Sequence, residues 1–153
     1  MFNIVLYQPE IPPNTGNIIR LCSNTGSTLH LIHPLGFDLD DKKLKRAGLD
    51  YPEWASVNNY PDFKSYLEKA KPVRIFAIST KGKTIYADCR FKRGDTFIFG
   101  PETRGLPASF LKSLPDNQIL RIPMQPDSRS LNLSNAVSVV IYEAWRQNDF
   151  ISS

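Results

Sequence analysis

The 153-residue sequence is poor in the side chains that most often bind metals or form disulfides. Its two cysteines, Cys22 and Cys89, are far apart and lack the C-x-x-C or Cys/His spacing of a zinc or redox site. Its two histidines, His30 and His33, lie in an apolar segment and directly before a proline, positions typical of packing and turn residues. We therefore expect no metal site, and free, buried thiols as in a reducing compartment.

Long apolar runs are also missing. No segment approaches the roughly 18 apolar residues that a membrane span needs, and residues 1–7 have neither a basic flank nor a small-residue cleavage site. The composition, 41% hydrophobic and 22% charged, is that of a globular protein, without a linker or a disordered stretch. These features predict a cytoplasmic protein with no membrane segment, folded as one domain over residues 1–153.

The sequence has a net charge of +4, from 19 Lys and Arg residues against 15 Asp and Glu residues. The basic residues form two clusters: Lys42, Lys43, Lys45 and Arg46, then Lys81, Lys83, Arg90, Lys92 and Arg93. Such clusters suit an anionic partner, nucleic acid above all. A solvated helix face and a charged turn would give the same pattern, and charge alone favours that simpler explanation.

Strands and helices are predicted to alternate along the chain. Short β-branched and aromatic runs predict strands at residues 1–7, 29–32, 74–79, 96–99 and 118–122, with a short extra strand at 84–87. Helices are predicted at 15–25, around 40–47, at 62–71 and from Leu133 onward. This alternation predicts an α/β fold whose mostly parallel sheet has helices on both faces.

The helical patterns also predict individual caps and buried side chains. Asn14 is a suitable N-cap for the first helix, and Gly26 marks its end. In the 62–71 helix, Phe63, Tyr66 and Leu67 are expected to face inward.

The last helix has the clearest apolar stripe. Its members recur at helical spacing: Leu133, Ala136, Val137, Val140, Ile141, Ala144 and Trp145. Val139 and Tyr142 lie beside this stripe. The additional apolar flank suggests contact with a second copy of the chain in a dimer.

Two predicted strands end in irregular loops. The 96–99 strand leads into FGPETRGL at 99–106, and the 118–122 strand leads into IPM at 122–124 and SLNLSN at 130–135. If these strands are neighbours, their loops lie close together, at the edge where open α/β sheets bind ligands.

Two common nucleotide-binding patterns are disfavoured. Gly82-Lys83-Thr84 looks like the end of a phosphate loop, but Ala77 stands where that pattern needs a glycine, and a strand is predicted to follow. No G-x-G-x-x-G follows the first strand, which argues against a dinucleotide enzyme.

Three successive motifs resemble those of the SpoU branch of the SPOUT RNA methyltransferases. They are NTGNIIR at 14–20 followed by Gly26, FGPETRGL at 99–106, and IPM at 122–124 with SLNLSNA at 130–136. The resemblance extends from Ile4 to Arg146, and none of the motifs departs from the family pattern. Within that branch the chain is similar to the compact methyltransferases of the tRNA wobble ribose, which lack an added RNA-binding domain.

This resemblance implies a fold and a cofactor. The family's α/β sheet has a C-terminal segment threaded into a deep trefoil knot. Loops at 78–80, 100–105 and 122–131 would then form a pocket for S-adenosylmethionine, and the active site would be completed across a homodimer interface.

Six residues are expected to bind the cofactor: Ile78, Gly100, Ile122, Met124, Ser130 and Leu131. Gly100 would allow close backbone approach, Ile78 and Met124 would form apolar walls, and backbone groups near Ile122 and Leu131 would bind the adenine edge. Ser130 is expected to hydrogen-bond the cofactor, cap the last helix, or both. Asn132 would satisfy loop backbone groups or touch the cofactor.

Arg20, Asn17 and Glu102 are the expected catalytic residues. Arg20 matches the family's arginine credited with activating the ribose hydroxyl. Because a guanidinium stays charged at neutral pH, we expect Arg20 to clamp the target phosphate and stabilise developing negative charge instead of acting as a base. Asn17, on the same helical face, would orient the ribose or Arg20, or make only a local hydrogen bond. Glu102 would hold Arg20 or a loop amide.

The resemblance therefore implies S-adenosylmethionine-dependent 2′-O-methylation of the wobble cytidine or uridine, with the tRNA anticodon stem-loop as partner. Methylation of another tRNA nucleotide or of ribosomal RNA stays open, because only the compactness of the chain and SNAV at 134–137 separate these activities. A binding protein that keeps the pocket but only holds RNA is a third possibility. The presence of Arg20, Asn17 and Glu102 argues against it.

Overall fold

A parallel sheet forms the centre of the computed structural model, which describes residues 1–39, 42 and 56–152. Its strands are β1 (Asn3–Tyr7), β2 (Thr28–Ile32), β3 (Asn58–Tyr60), β4 (Ile75–Ile78), β5 (Thr84–Ile85), β6 (Thr96–Phe99) and β7 (Ile119–Arg121). They are arranged in the order β3-β2-β1-β6-β4-β7-β5, and each neighbouring pair is parallel. The predicted strands and their parallel pairing are confirmed. The helix predicted around 40–47, with the basic residues Lys43, Lys45 and Arg46, lies outside the described residues.

The central strands β1 and β6 are almost continuous apolar runs. The middle three residues of β1 and all four residues of β6 are buried. Strands of a parallel sheet have this composition when both of their faces are covered. The edge strands β3 and β5 are shorter and less buried.

The two strands that precede the motif loops, β6 and β7, are not neighbours. β4 lies between them, and its Ile78 is in register with Phe99 of β6 and Leu120 of β7. The loop that follows β4 therefore enters the same region as the other two loops. The carboxyl ends of three adjacent strands meet there, and their loops are the three that the family resemblance assigned to the pocket.

In the described part of the chain, helices cover both faces of this sheet, as predicted. They are α1 (Pro12–Thr25), α2 (Phe63–Ala70), α3 (Ala108–Lys112) and α4 (Leu133–Gln147). On one face, Ile18 of α1 and Val137 of α4 share a core with Phe97 of β6. On the other face, Tyr66 of α2 shares a core with Ile98. Alternate residues of β6 thus point to opposite sides.

Two predicted helix caps are wrong. α1 begins at Pro12, its N-cap is Ile11 without a side-chain cap, and Asn14 lies inside the first turn. Prolines suit the first helical positions because their missing N–H groups would have no intrahelical partner there. The N-cap of α4 is Asn132, whose side chain accepts hydrogen bonds from two backbone amides, so Ser130 is not the cap. Gly26 ends α1 as predicted, with φ of 69°.

The inward-facing prediction for α2 is correct for two residues and wrong for the third. Tyr66 is only 1% exposed and Phe63 packs beside it, whereas Leu67 is 39% exposed. In this short helix Phe63, Tyr66 and Ala70 line up along the side that faces the sheet core. Leu67 lies outside that row.

The stripe predicted for α4 is confirmed. Five of its members are buried, namely Leu133, Val137, Val140, Ile141 and Ala144, while Ala136 and Trp145 are partly buried against them. Tyr142, beside the stripe, is 43% exposed.

Both cysteines are free, as predicted. Cys22 is buried, and burial raises the pKa of its thiol to about 12. Cys89 is only partly buried. Among the described residues, no helix combines the length and the apolar character needed to cross a membrane.

His30 is a buried, neutral packing residue. Its side chain is 7% exposed and stacks on Tyr60. Its Nδ1 lies 2.9 Å from the Tyr60 hydroxyl, and its Nε2 lies 3.0 Å from Asn3 Oδ1. Because Oδ1 can only accept, Nε2–H donates to Asn3 and Nδ1 accepts from Tyr60. Burial lowers the pKa of His30 to about 4.

This burial should make the protein sensitive to mild acid. The unfolded chain takes up a proton at His30 near pH 6.5, whereas the folded chain does so only near pH 4. The free energy of unfolding is therefore unaffected by His30 above pH 6.5. It decreases as the pH falls from 6.5 towards 4, by as much as about 3 kcal/mol. Urea unfolding at pH 7.5 and pH 4.5 should show a smaller loss for His30→Gln than for the wild type. Equal losses in the wild type and His30→Gln would contradict this account.

Candidate active site

A cavity of about 460 Å³ lies at the carboxyl ends of β4, β6 and β7. The loops that follow these three strands form most of its wall. The rest comes from the start of α1, through Ile11 and Asn14, from the first turn of α4, through Leu133 and Ala136, and from Leu111 in α3. Ligands of open α/β sheets bind at this edge, and the volume lies in the range of small-molecule pockets.

All six residues predicted to bind the cofactor line this cavity: Ile78, Gly100, Ile122, Met124, Ser130 and Leu131. They come from three loops that are separated by up to about fifty positions in the sequence. The fold brings them together, and their contact with a cofactor stays a prediction.

The loop after β6 folds back tightly on itself. The Gly105 N–H donates to the Pro101 carbonyl at 3.0 Å, and Gly105 has φ of 68°, in the left-handed region that favours glycine. Gly100 faces this turn, where an added Cβ would lie 2.5 Å from the Gly105 carbonyl carbon. Glycine is thus required at position 100 by the loop's own backbone.

Glu102, in this loop, binds the segment that precedes α1. Its Oε1 accepts a hydrogen bond from the Glu10 N–H at 2.8 Å, and its Oε2 accepts one from the Ile11 N–H at 2.6 Å. The Asn14 side-chain amide lies 3.4 Å from the same Oε2. Of the two roles considered for Glu102, holding a loop amide is the one observed. A carboxylate beside the start of α1 also interacts favourably with the partial positive charge of the helix N-terminus.

Asn14 and Asn132 connect the starts of the two helices that border the cavity. Asn132 Nδ2 donates to Asn14 Oδ1 at 3.0 Å, while Asn132 Oδ1 accepts from the Ser134 and Asn135 amides at 3.0 and 3.3 Å. Asn14 was expected as a helix cap and stands first in the NTGNIIR motif, but its place in the cavity wall was not predicted. Its partner lies 118 positions away, and no local pattern indicates such a pairing.

Asn17 and Arg20 are placed differently from the other predicted site residues. Both are exposed on α1, and neither belongs to the wall of the cavity in their own chain. The fold therefore groups Glu102 with the cofactor residues but leaves this pair on an outer surface of the helix.

Cationic side chains border the cavity. Lys81, Arg104 and Arg129 contribute to its lining, and all three are exposed. Lys81 belongs to the second basic cluster, whose other members, Lys83, Arg90, Lys92 and Arg93, are exposed as well. Arg104 and Arg129 were not singled out from the sequence, because isolated arginines give no signal without the fold. The positive charge suits an anionic ligand or polymer.

The described residues contain no group of three His, Cys, Asp or Glu side chains arranged to hold a metal ion. The chemistry available at the cavity is that of backbone amides and carbonyls, hydroxyl and carboxamide groups, one carboxylate and several cations.

Comparison with known proteins identifies the family. The model of the SpoU rRNA Methylase family matches residues 1–142. The chain belongs to this family. The chain is also 63% identical to an Escherichia coli K12 protein named tRNA (cytidine(34)-2'-O)-methyltransferase. The match covers 96% of this chain and 94% of that relative.

Solved structures support the same grouping. One, described as giving structural insights into the 2-OH methylation of C/U34 on tRNA, has a TM-score of 0.90 and 46% identity, with 99% of this SpoU methylase and 98% of that chain covered. The SpoU methyltransferase AviRb from Streptomyces viridochromogenes, in complex with AdoMet, shares the fold with a TM-score of 0.83. It is 24% identical, over 97% of this chain and 61% of that one.

Proposed function

We propose that this SpoU methylase is a tRNA 2′-O-methyltransferase that transfers the methyl group of S-adenosylmethionine to the ribose of wobble nucleotide 34. The observation that carries the proposal is the 63% identity, over nearly the whole of both chains, with a relative named for that reaction. The cavity adds support, because it collects every residue that the family resemblance assigned to the cofactor.

The cavity fits S-adenosylmethionine in size and chemistry. Its volume of about 460 Å³ suits a nucleoside-sized ligand. Ile78 and Met124 offer apolar walls for the base and thioether, and the backbone groups of the lining residues Ile122 and Leu131 can bind the adenine edge. Ser130 offers a hydroxyl that is not used as a helix cap. When bound, S-adenosylmethionine supplies the electrophilic methyl group.

Arg20 is proposed to act on the RNA. A guanidinium donates in a planar fork that matches phosphate oxygens, so Arg20 can hold the target phosphate and stabilise negative charge as the ribose hydroxyl loses its proton. Asn17, one turn earlier on the same exposed face, is placed to orient the ribose or the guanidinium. Glu102 contributes indirectly, by fixing the start of the helix that carries both.

A homodimer is proposed to complete the site. Arg20 and Asn17 are exposed and lie outside their own chain's cavity, so a second copy would have to bring its cavity to them. α1 and α4 are in contact, and the exposed apolar side chains at their starts and on α4, namely Ile11, Leu131 and Tyr142, could be covered by such a partner. Two basic surfaces would then face one anticodon stem-loop.

The knot of the family is proposed for this chain as well. It is supported by the position of β7 between β4 and β5 and by the return of the following chain, which places α4 against α1. We also propose that one domain carries all these functions and that it works in the cytoplasm, where free thiols such as Cys22 and Cys89 persist.

The proposal is tested by incubating the protein with labelled S-adenosylmethionine and total tRNA, then mapping the label. We expect 2′-O-methylcytidine or 2′-O-methyluridine at the wobble position. Label at another tRNA nucleotide, or transfer only to ribosomal RNA offered in parallel, would assign a different substrate. Absence of transfer with bound RNA would indicate a binding protein.

A further inference from the structure

Two glutamates join the loop after β1 to the loop after β6 in a reciprocal way. Glu102 of the second loop accepts from the Glu10 and Ile11 amides of the first, at 2.8 and 2.6 Å. In return, Glu10 Oε1 accepts from the Thr103 amide at 2.9 Å and from the Thr103 hydroxyl at 2.8 Å. We call this arrangement of Glu10, Glu102 and Thr103 the glutamate clasp.

Each side of the clasp is held by a further backbone contact. On the first side, the Gly36 N–H donates to the Pro9 carbonyl at 2.9 Å, and an added Cβ at Gly36 would lie 2.8 Å from Glu10 Cα. On the second side, the Gly105 turn closes on Pro101. Neither loop can shift far without losing this packing, so the clasp joins two firm elements.

Only one of the two carboxylates belongs to the cavity wall. Glu102 and Thr103 line the cavity, whereas Glu10 lies behind them and is absent from the lining. The hydrogen bonds from the Thr103 amide and hydroxyl lower the pKa of Glu10, because they stabilise its ionised form. Arg104 adds an exposed contact of 3.9 Å to Glu10, and a surface pair of this length contributes little.

We propose that Glu10 is a positioning residue for the cofactor: through Thr103 it holds the 100–105 loop in the shape that forms the cavity wall. The inference rests on the proposed function, because it takes the ligand of this cavity to be S-adenosylmethionine. Glu10 does not touch the cofactor. Its removal frees Thr103, and the loop then has to be ordered when the cofactor binds, which weakens binding.

The test is calorimetric titration of S-adenosylmethionine into Glu10→Ala, Glu10→Gln, Thr103→Val and the double variant Glu10→Ala/Thr103→Val. Losing hydrogen bonds to a charged group should raise the Kd about tenfold in Glu10→Ala. Glu10→Gln keeps the size of the side chain and one acceptor, so a smaller increase is expected. The double variant should bind no more weakly than Glu10→Ala alone, because both changes break the same contact.

Glu68→Ala is the matched control, since Glu68 is an exposed glutamate on α2, across the sheet from α1. It should bind the cofactor like the wild type. Thermal unfolding of every variant shows whether weaker binding comes from an unfolded protein or from a displaced loop in a folded protein. Folded Glu10→Ala and Glu10→Gln proteins with wild-type Kd values would overturn the proposal, as would fully additive effects in the double variant.

The outcomes separate this inference from the proposed function. If the wild type binds S-adenosylmethionine but methylates no tRNA, the proposed function fails while the Kd comparison still decides the role of Glu10. If the wild type methylates the wobble ribose and the Glu10 variants bind normally, only the positioning role fails. A wild type that does not bind the cofactor contradicts both.

Discussion

Replacing Gly100 by valine should abolish S-adenosylmethionine binding while leaving the protein folded. An added Cβ would lie 2.5 Å from the Gly105 carbonyl carbon and even nearer the Leu106 nitrogen, distances that van der Waals contact does not allow. The 100–106 loop must therefore move, and that loop supplies much of the cavity wall. Calorimetric titration of the cofactor should show no binding heat for Gly100→Val, and circular dichroism should show wild-type helix content.

Gly94→Ala provides a control for the general cost of replacing a glycine. Gly94 has φ of 90°, which strains any other residue, but an added Cβ there would meet no atom within 4 Å. The strain should lower the free energy of unfolding by about 1 kcal/mol without changing cofactor affinity. If Gly100→Val binds S-adenosylmethionine as well as Gly94→Ala does, the loop after β6 is not part of the cofactor site.

A mixed dimer of Arg20→Ala and Gly100→Val subunits should recover activity that neither variant has alone. Arg20→Ala by itself should lose about a hundredfold in turnover, because the phosphate and the developing charge lose their clamp. If Arg20 serves the partner's cavity, the mixed dimer has one site with an intact cavity and an intact arginine. It should show about half of the wild-type rate.

The mixed dimer is obtained by co-expressing the two variants with different tags and purifying through both tags. Two Arg20→Ala subunits with different tags form the control and should stay inactive. An inactive mixed dimer would mean that Arg20 acts on its own chain's cavity. Wild-type activity in the Arg20→Ala control would mean that Arg20 has no catalytic role. Arg20→Lys, assayed with saturating RNA, tests the planar clamp separately, and full turnover in that variant would argue against it.

Local sequence patterns predicted the elements well where one periodicity dominates. The β6 strand is observed at the predicted residues, Thr96–Phe99, because each of its side chains is buried. The α4 stripe is equally clear, because a long helix with one buried face repeats its pattern over four turns. The family resemblance pointed to six residues for the cofactor, and the fold places all six in the wall of one cavity.

Other features depend on contacts that no local pattern contains. The order of parallel strands, with β4 between β6 and β7, is set by crossover connections and not by the strands' own sequences. Caps were misassigned for a similar reason. Asn14 accepts a hydrogen bond from Asn132 across 118 positions, and the Ile11 N–H donates to Glu102 across 91 positions. The hydrogen bonds from Thr103 to Glu10 in the glutamate clasp span 93 positions, and no local pattern predicts them either.

Calorimetric titration of S-adenosylmethionine into the purified wild-type protein tests most directly whether this cavity binds the methyl donor. The cavity formed by the loops after β4, β6 and β7 predicts one binding site per chain. It also predicts that Gly100→Val removes the binding heat. A folded wild-type protein that gives no heat, or a Gly100→Val protein that binds as the wild type does, would contradict the assignment of this cavity to the methyl donor.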